Sequence, residues 1–237
     1  MGILFKRKNV TLITDLILVL TVATVAAVCF APARSVPASG SAPFYSGSGR
    51  GGRISVAFNV YEGEDVVNGI LDVLKEYGVH ATFFMGGCFA DDNEELLKRI
   101  AKEGHELGNH GYFHRDHAKL SYEKNVEEID AAGRVIKALS GVNPTLFAPP
   151  SGSFNKQTVR AAESLGYSVV LWSKDTVDWR DEDADMVFKR ATQGAAAGDI
   201  VLAHPKAHTL KALPKILGYY ESNGLKQSTV SANLFGE

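Results

Sequence analysis

From position 53 onward, short apolar runs alternate with longer segments in which apolar residues recur at helical spacing. In the run 53–60, Ile54, Val56 and Phe58 fall at every second position, which predicts a strand with one apolar face. The segment 66–77 has helical spacing and stops before a glycine, which predicts a helix. The same reading predicts strands over 81–85, 145–147, 168–172, 200–203 and 225–230, and helices over 94–103, 121–139, 155–165, 185–193 and 212–223.

This alternation of strands and helices sets the expected fold class. Repeated βα units favour a mainly parallel sheet, and there are enough of them to close into a barrel. In such barrels the chemistry lies at the C-terminal ends of the strands. Four residues with candidate roles follow predicted strands, and we expect them to converge on one rim: His110, Pro149, Asp175 and His204.

The first part of the chain has the pattern of a targeting segment. A basic cluster at 6–8 precedes a mostly apolar run over 10–31, which matches the roughly 20 residues that span the hydrocarbon of a membrane. The basic cluster would stay in the cytoplasm and place the rest of the chain outside. The stretch 31–33, Ala-Pro-Ala, also resembles a signal cleavage site, so we expect the chain to be either membrane-anchored or secreted.

Three regions follow from these patterns. Residues 1–33 form the basic end with its anchor or signal segment, and residues 34–52, rich in Ser, Gly, Ala and Pro, are predicted to be a flexible linker. Residues 53–237 form the folded domain. The chain of 237 residues carries a formal net charge of −2, so no nucleic-acid partner is expected. Cys29 and Cys88 show neither a metal-binding spacing nor a disulfide framework.

The segment 109–114 carries the clearest candidate chemistry. His110 and His114 are four residues apart, so they share one face of a helix or are aimed at one point by a tight loop. Neutral imidazole nitrogens suit a divalent metal such as zinc. Taken alone, the pair fits two histidines without a function equally well, and the choice depends on the rest of the chain.

Three further motifs follow this pair in order along the chain. The pair matches an H-x-x-x-H motif, 147–152 (F-A-P-P-S-G) resembles R-P-P-Y-G, 175–179 (D-T-V-D-W) matches D-x-x-D-W, and 202–204 (L-A-H) matches L-x-H. On these motifs, residues 53–231 resemble the polysaccharide deacetylase family, the NodB homology domain of carbohydrate esterase family 4. The resemblance implies a distorted (β/α) barrel and metal-dependent removal of acetyl groups from N-acetylated sugars.

The resemblance also implies roles for individual residues. His110 and His114 match the metal ligands, and zinc is the metal we expect. His204 matches the acid that protonates the leaving amine, and a nearby carboxylate would orient it. Asp178 is our first choice for that carboxylate and Asp175 the second.

Three residues are implied to contact the substrate. Trp179 and Leu202 match the apolar walls that hold the acetyl methyl group, and Pro149 belongs to the groove motif. The alternative for Trp179 and Leu202 is that they are ordinary core side chains.

The first motif of the family, T-F-D-D-G, is altered here. Asn59 occupies the position of the catalytic base, and an amide cannot accept a proton at neutral pH. Val60 occupies the position of the third metal ligand and cannot bind metal. Glu62, which precedes a glycine as the motif's second Asp does, is our candidate for the missing ligand, with Glu64 and Asp65 as alternatives.

The third motif is altered as well. Ala148 replaces the arginine that pairs with the base, and Ser151 replaces the aromatic residue. Because losing only one member of a buried ion pair would leave a charge unpaired, the joint loss of base and arginine is electrostatically coherent. Some sporulation-type members of the family also have an altered first motif.

Two functions of different class fit this sequence. One is a metal-dependent hydrolase that removes acetyl groups from a peptidoglycan-like cell-wall polysaccharide, outside the cytoplasm. The other is a catalytically impaired glycan-binding or structural module on the same fold. The intact motifs around His110 and His204 favour the first function, whereas Asn59 and Ala148 favour the second.

Overall fold

A computed structural model describes residues 42–236 of the chain. Its strands are β1 (Arg53–Val60), β2 (Thr82–Met85), β3 (Glu106–Asn109), β4 (Leu146–Phe147), β5 (Ser168–Val169), β6 (Lys174–Asp175), β7 (Ile200–Ala203) and β8 (Lys226–Gln227). Its α-helices are α1 (Glu64–Glu76), α2 (Gly87–Asp92), α3 (Glu94–Lys102), α4 (Tyr122–Ser140), α5 (Lys156–Ser164), α6 (Ala184–Thr192), α7 (Ala207–Ser222) and α8 (Val230–Phe235).

The described strands form one parallel sheet. Its order is β5-β4-β3-β2-β1-β7-β6, and β8 pairs with the start of β1. Because all of these strand pairings are parallel, the carboxyl ends of the strands meet at one edge. The predicted parallel βα architecture is confirmed, and the sheet is that of the expected distorted barrel.

Side chains of β1 alternate between two apolar clusters. Ile54, Val56, Phe58 and Val60 belong to the main core, where the sheet packs against helices such as α1 and α7. Ala57 belongs to a smaller cluster with residues of β2, β4 and β7 and with Val230 of α8. This period of two is the pattern that predicted the strand, and it brings Asn59 to the face opposite Val60.

Side-chain caps mark the starts of α4 and α5. Ser121 accepts a hydrogen bond from the backbone N–H of Lys124 at 3.3 Å and caps α4. Asn155 forms a capping box with Thr158 at the start of α5. These caps place both helix starts within a residue of the predicted ones.

Some predicted boundaries are wrong, and tertiary contacts explain the differences. Helix α7 begins at Ala207, before the predicted start at 212, and continues through Pro214. The predicted strand 225–230 is a strand only over Lys226–Gln227, because Thr229 caps a further helix, α8. The short elements α2 and β6 had no periodicity long enough to predict them.

The predicted linker is also partly wrong. Phe44 donates its N–H to the carbonyl of Val169 at 2.9 Å and accepts from the N–H of Leu171 at 2.7 Å. Gly47 donates to the carbonyl of Gly198 at 2.7 Å. Residues 42–52 are therefore bound to the domain, because their backbone groups extend its hydrogen bonding.

The anchor or signal segment and residues 34–41 lie outside the described residues. Within residues 42–236, no helix has both the length and the apolar character needed to cross a membrane.

Candidate active site

One open pocket, with a volume of about 310 Å³, lies at the carboxyl ends of the strands. It is lined by Asn59, Tyr61, His110, His114, Ser151, Trp172, Asp175, Trp179, Leu202 and His204. The predicted convergence on one rim is thus found for His110, Asp175 and His204. Pro149 follows β4 as expected, but Ser151, two residues later, is the member of that segment that lines the pocket.

His110 follows β3 and is fully buried. Its Nδ1 lies 2.7 Å from the carbonyl oxygen of Ala148. Because a carbonyl only accepts, Nδ1 carries the hydrogen and Nε2 keeps its lone pair. Among residues 42–236 this buried Nε2 has no hydrogen-bond partner. Burial, and then the nearby His114, lower the pKa of His110 to about 3, so the ring is neutral.

A tight loop, rather than a helix, brings His114 to His110. The two ring centroids lie 5.1 Å apart, and the ring of Tyr61 lies 4.0 Å from that of His114. His114 has φ 54°, and Gly111 has φ 72° with no room for a side chain beside His117. Burial lowers the pKa of His114, so this ring is also held neutral.

A buried carboxylate that the sequence analysis did not identify holds this loop. Glu128 on α4 accepts hydrogen bonds from the backbone N–H groups of Tyr112 at 3.1 Å and Phe113 at 2.9 Å. Its other oxygen pairs with Arg115 at 3.2 Å. Glu128 lies on the buried face of the predicted helix 121–139. A charged residue on that face was the sequence feature that could have indicated its role.

The histidine pair offers two neutral ring nitrogens to a divalent metal. The Nε2 of His110, which is buried without a hydrogen-bond partner, is suited to bind such a metal. A third ligand is absent from the described part of the chain, where no three His, Cys, Asp or Glu side chains form a metal-binding group. The expectation for Glu62 is not met, because its carboxylate pairs with Lys206. Val60 is buried in the main core, and Glu64 and Asp65 are exposed in the first turn of α1.

On the other side of the pocket, Asp178 and His204 form a buried pair. His204 Nδ1 lies 2.7 Å from Asp178 Oδ1, and the backbone N–H of His204 donates to Asp178 Oδ2 at 2.7 Å. Burial alone would raise the pKa of Asp178, but hydrogen bonds from His204 and Thr209 outweigh it and hold the pKa below its usual value. Of the two carboxylates considered, Asp178 is thus the one that hydrogen-bonds His204. Its charge keeps the hydrogen on Nδ1 and leaves Nε2 as the nitrogen able to take a proton.

Asp175 stabilises the turn before Asp178. Its Oδ1 accepts the N–H of Val177 at 2.7 Å and so closes the turn that leads to Asp178. Val177 has φ 54°, which is costly for a β-branched residue. Within residues 42–236 the other non-glycine residues with positive φ are His114 and Ser151, and all three lie around the pocket. Backbone strain of this kind concentrates at functional sites.

Trp179 and Leu202 both line the pocket, but their exposure differs. Trp179 is 56% exposed and lines the pocket, so it is not a core side chain. Leu202 is buried and also lines the pocket. Asn59 is buried at the end of β1, and Ala148 is buried in the smaller apolar cluster. The positions that the resemblance assigns to the base and the arginine therefore hold a buried amide and a buried methyl group.

The chain matches a known protein family. The family model described as polysaccharide deacetylase matches residues 47–170. The chain belongs to the polysaccharide deacetylase family. Within it, the chain is 34% identical over 205 residues to the peptidoglycan-N-acetylglucosamine deacetylase PgdA of Listeria monocytogenes, covering 86% of this chain and 43% of PgdA. It is 33% identical over 189 residues to the uncharacterized protein YlxY of Bacillus subtilis, covering 80% of this chain and 59% of YlxY.

A solved structure is similar in both fold and sequence. BA3943, described as a CE4 family pseudoenzyme from Bacillus anthracis, superposes with a TM-score of 0.79 at 31% identity, covering 81% of this chain and 68% of that one. A mutant of BA3943 is described as having restored enzymatic activity. The chain spans only about half the length of the curated relatives just named, 43% and 59%.

Proposed function

We propose that this domain is a hydrolase that removes acetyl groups from an N-acetylated, peptidoglycan-like cell-wall polysaccharide. One observation carries the proposal: His204, hydrogen-bonded to Asp178 at 2.7 Å, lines the same pocket as the neutral His110 and His114. The pocket joins a proton-transfer group to a pair of potential metal ligands. The naming of PgdA as a peptidoglycan-N-acetylglucosamine deacetylase supports the class of substrate.

The chain's own residues suffice for the proton transfers. When water attacks the acetyl carbonyl, Nε2 of His204 takes its proton, and Asp178 stabilises the imidazolium that forms. The same nitrogen then gives the proton to the leaving sugar amine. Because Asn59 cannot accept a proton, both steps fall to His204. Trp179 and Leu202 hold the acetyl methyl group and exclude water from that side of the pocket.

A divalent metal, most simply zinc, would be held by His110 and His114. When bound, it supplies a Lewis acid that polarises the acetyl carbonyl and lowers the pKa of water. The described residues provide two ligands, one fewer than catalytic zinc sites usually take from the protein. We therefore expect weaker metal binding than in a site with three protein ligands.

A second candidate function is glycan binding without hydrolysis. The specific observations in its favour are the amide of Asn59, the burial of Val60 in the core and the absence of an arginine at Ala148. The likeness to BA3943, described as a pseudoenzyme, points the same way. In this function the pocket binds an N-acetylated sugar but turns it over slowly or not at all.

We also propose that the domain works outside the cytoplasm, anchored in the membrane or secreted. The support is the basic cluster at 6–8 and the apolar run 10–31. Its partners would then be the glycan and, for an anchored chain, the membrane. Fractionation of cells that produce the full chain, with protease added to intact protoplasts, tests this: protection from the protease would contradict it.

Acetate release decides between the two functions. The purified full chain is incubated with N-acetylglucosamine oligomers or peptidoglycan, with and without added zinc, and compared with His204→Ala. Acetate release that disappears in His204→Ala supports the hydrolase. Oligomer binding without any acetate release supports the binding module, and the absence of both rejects the two proposals together.

A further inference from the structure

His208 lies in the first turn of α7, four residues after His204. Its Nε2 is 2.7 Å from the backbone carbonyl oxygen of Asp178. Because that oxygen only accepts, Nε2 of His208 carries the hydrogen and donates it. We propose that His208 is a positioning residue for the Asp178–His204 pair. This inference rests on the proposed function for its role in catalysis, but the structural effect on His204 is measurable without activity.

The turn that carries Asp178 needs to be held. It follows Val177, whose φ of 54° is strained, and strained residues persist only where their surroundings fix them. The bond from Val177 N–H to Asp175 fixes one side of the turn, and Arg190 donates to the carbonyl of Thr176 at 3.0 Å. The bond from His208 fixes the backbone carbonyl of Asp178, the residue whose carboxylate pairs with His204.

One short segment supplies the contacts described above for Asp178. The backbone N–H and Nδ1 of His204 bind its two carboxylate oxygens, and Thr209 Oγ1 donates to Oδ2 at 2.6 Å. His208 holds the backbone of the same residue. The segment 204–209 thus contains both the reacting imidazole and the groups that hold its partner. A shift of the Asp178 backbone would change the hydrogen bond that selects the tautomer of His204.

The roles of His208 and Thr209 differ in kind. Thr209 is buried and acts on the carboxylate directly, so its loss changes the charge environment of Asp178. His208 hydrogen-bonds the main-chain carbonyl of Asp178 and not its carboxylate. Replacing His208 therefore tests the position of the Asp178 main chain without removing a hydrogen bond to its carboxylate.

The test compares two substitutions in the full chain. His208→Leu removes the donor, and His208→Gln keeps an N–H group near the same place. Nitrogen-15 NMR of the histidine rings reports which nitrogen of His204 carries hydrogen. We expect the leucine variant to lose the dominant Nδ1–H form and the glutamine variant to regain most of it. Where acetate release is measurable, kcat should fall roughly tenfold in His208→Leu with little change in KM.

The control is His80→Leu, which removes an exposed histidine that contacts His105 on a different part of the sheet. It should leave the His204 signals unchanged. Thermal unfolding of each variant shows whether the fold is retained. Unchanged His204 ring signals in folded His208→Leu would overturn the inference, and so would equal losses in the leucine and glutamine variants, which would indicate packing alone. These signals are read in a chain that releases no acetate as well, so failure of the proposed function is a separate result.

Discussion

Glu62 and Lys206 form an ion pair that joins the loop after β1 to the residue before α7. The pair lies beside the pocket: Glu62 follows Tyr61, which lines it, and Lys206 follows His204 by two residues. The carboxylate that the sequence offered as a candidate third metal ligand is thereby paired with a lysine.

Removing the lysine should release that carboxylate. In Lys206→Met, Glu62 loses its partner, and we expect the affinity of the chain for zinc or cobalt to rise because a third ligand becomes available. Isothermal titration of the chain with each metal measures this. Lys211→Met, an exposed lysine later in α7, is the matched control. Equal metal affinity in Lys206→Met and the wild type would contradict the prediction, and adding Glu62→Gln should cancel any gain.

Restoring a carboxylate at the base position should carry a stability cost. Asn59 is 2% exposed, so Asn59→Asp buries a charge and should lower the free energy of unfolding by about 1–3 kcal/mol. The double variant Asn59→Asp/Ala148→Arg should regain part of that loss and release acetate faster than the wild type. Urea unfolding and acetate assays measure the two effects. A double variant no more stable than Asn59→Asp would show that the two positions are not coupled.

Acid should destabilise the domain through His105. Burial, and then the nearby His80, lower the pKa of His105 from 6.5 to about 4, and Nδ1 accepts the N–H of Ala81 at 3.3 Å. The unfolded chain therefore binds a proton before the folded chain does. The stabilisation is complete above about pH 6.5 and is lost as the pH falls toward 4, by about 3 kcal/mol.

Urea unfolding at pH 7 and pH 4.5 checks this pH dependence. His105→Gln keeps a hydrogen-bond acceptor that does not titrate, so its stability should fall less over this range. His110 has a lowered pKa of about 3 and contributes with the same sign in both proteins. The difference between wild type and variant therefore isolates His105, and parallel pH curves would refute the assignment.

Relieving the strain at Val177 should stabilise the fold. Asparagine tolerates the left-handed backbone that Val177 adopts at φ 54°, so Val177→Asn should raise the free energy of unfolding by about 1 kcal/mol. Val142→Asn, at an exposed valine without positive φ, is the control and should show no such gain. Thermal unfolding measures both variants. If they behave alike, the strain at Val177 is not a significant store of energy.

The parts of the site that were predictable share a local signature. The period of two in β1 and the motif residues His110, Asp178 and His204 are read directly from spacing and order. The course of the chain between them repeats one βα unit, so the convergence of these residues at the strand ends followed from the fold class.

The parts that were missed depend on distant contacts. Glu62 is 144 residues from Lys206 in the chain, so no local pattern shows that its carboxylate is already paired. Glu128 and His208 hydrogen-bond backbone groups of other segments. Because every residue has the same backbone groups, the sequence does not show which of them a side chain will bind. Pro214 falls in the first turn of the predicted helix 212–223, where proline is tolerated, but α7 begins earlier, at Ala207, and passes through Pro214 with Leu213 and Leu217 buried in the main core. Tertiary packing outweighs local propensity at such positions.

The attachment of residues 42–52 has a mechanical consequence. Phe44 is bound on both sides by Val169 and Leu171, and its ring meets that of Phe235 at 5.9 Å. A pulling force applied at residue 42 would act first on these hydrogen bonds and only then on the strands that carry the pocket. We therefore expect this segment to detach before the pairing of β1 with β2 and β7 is broken.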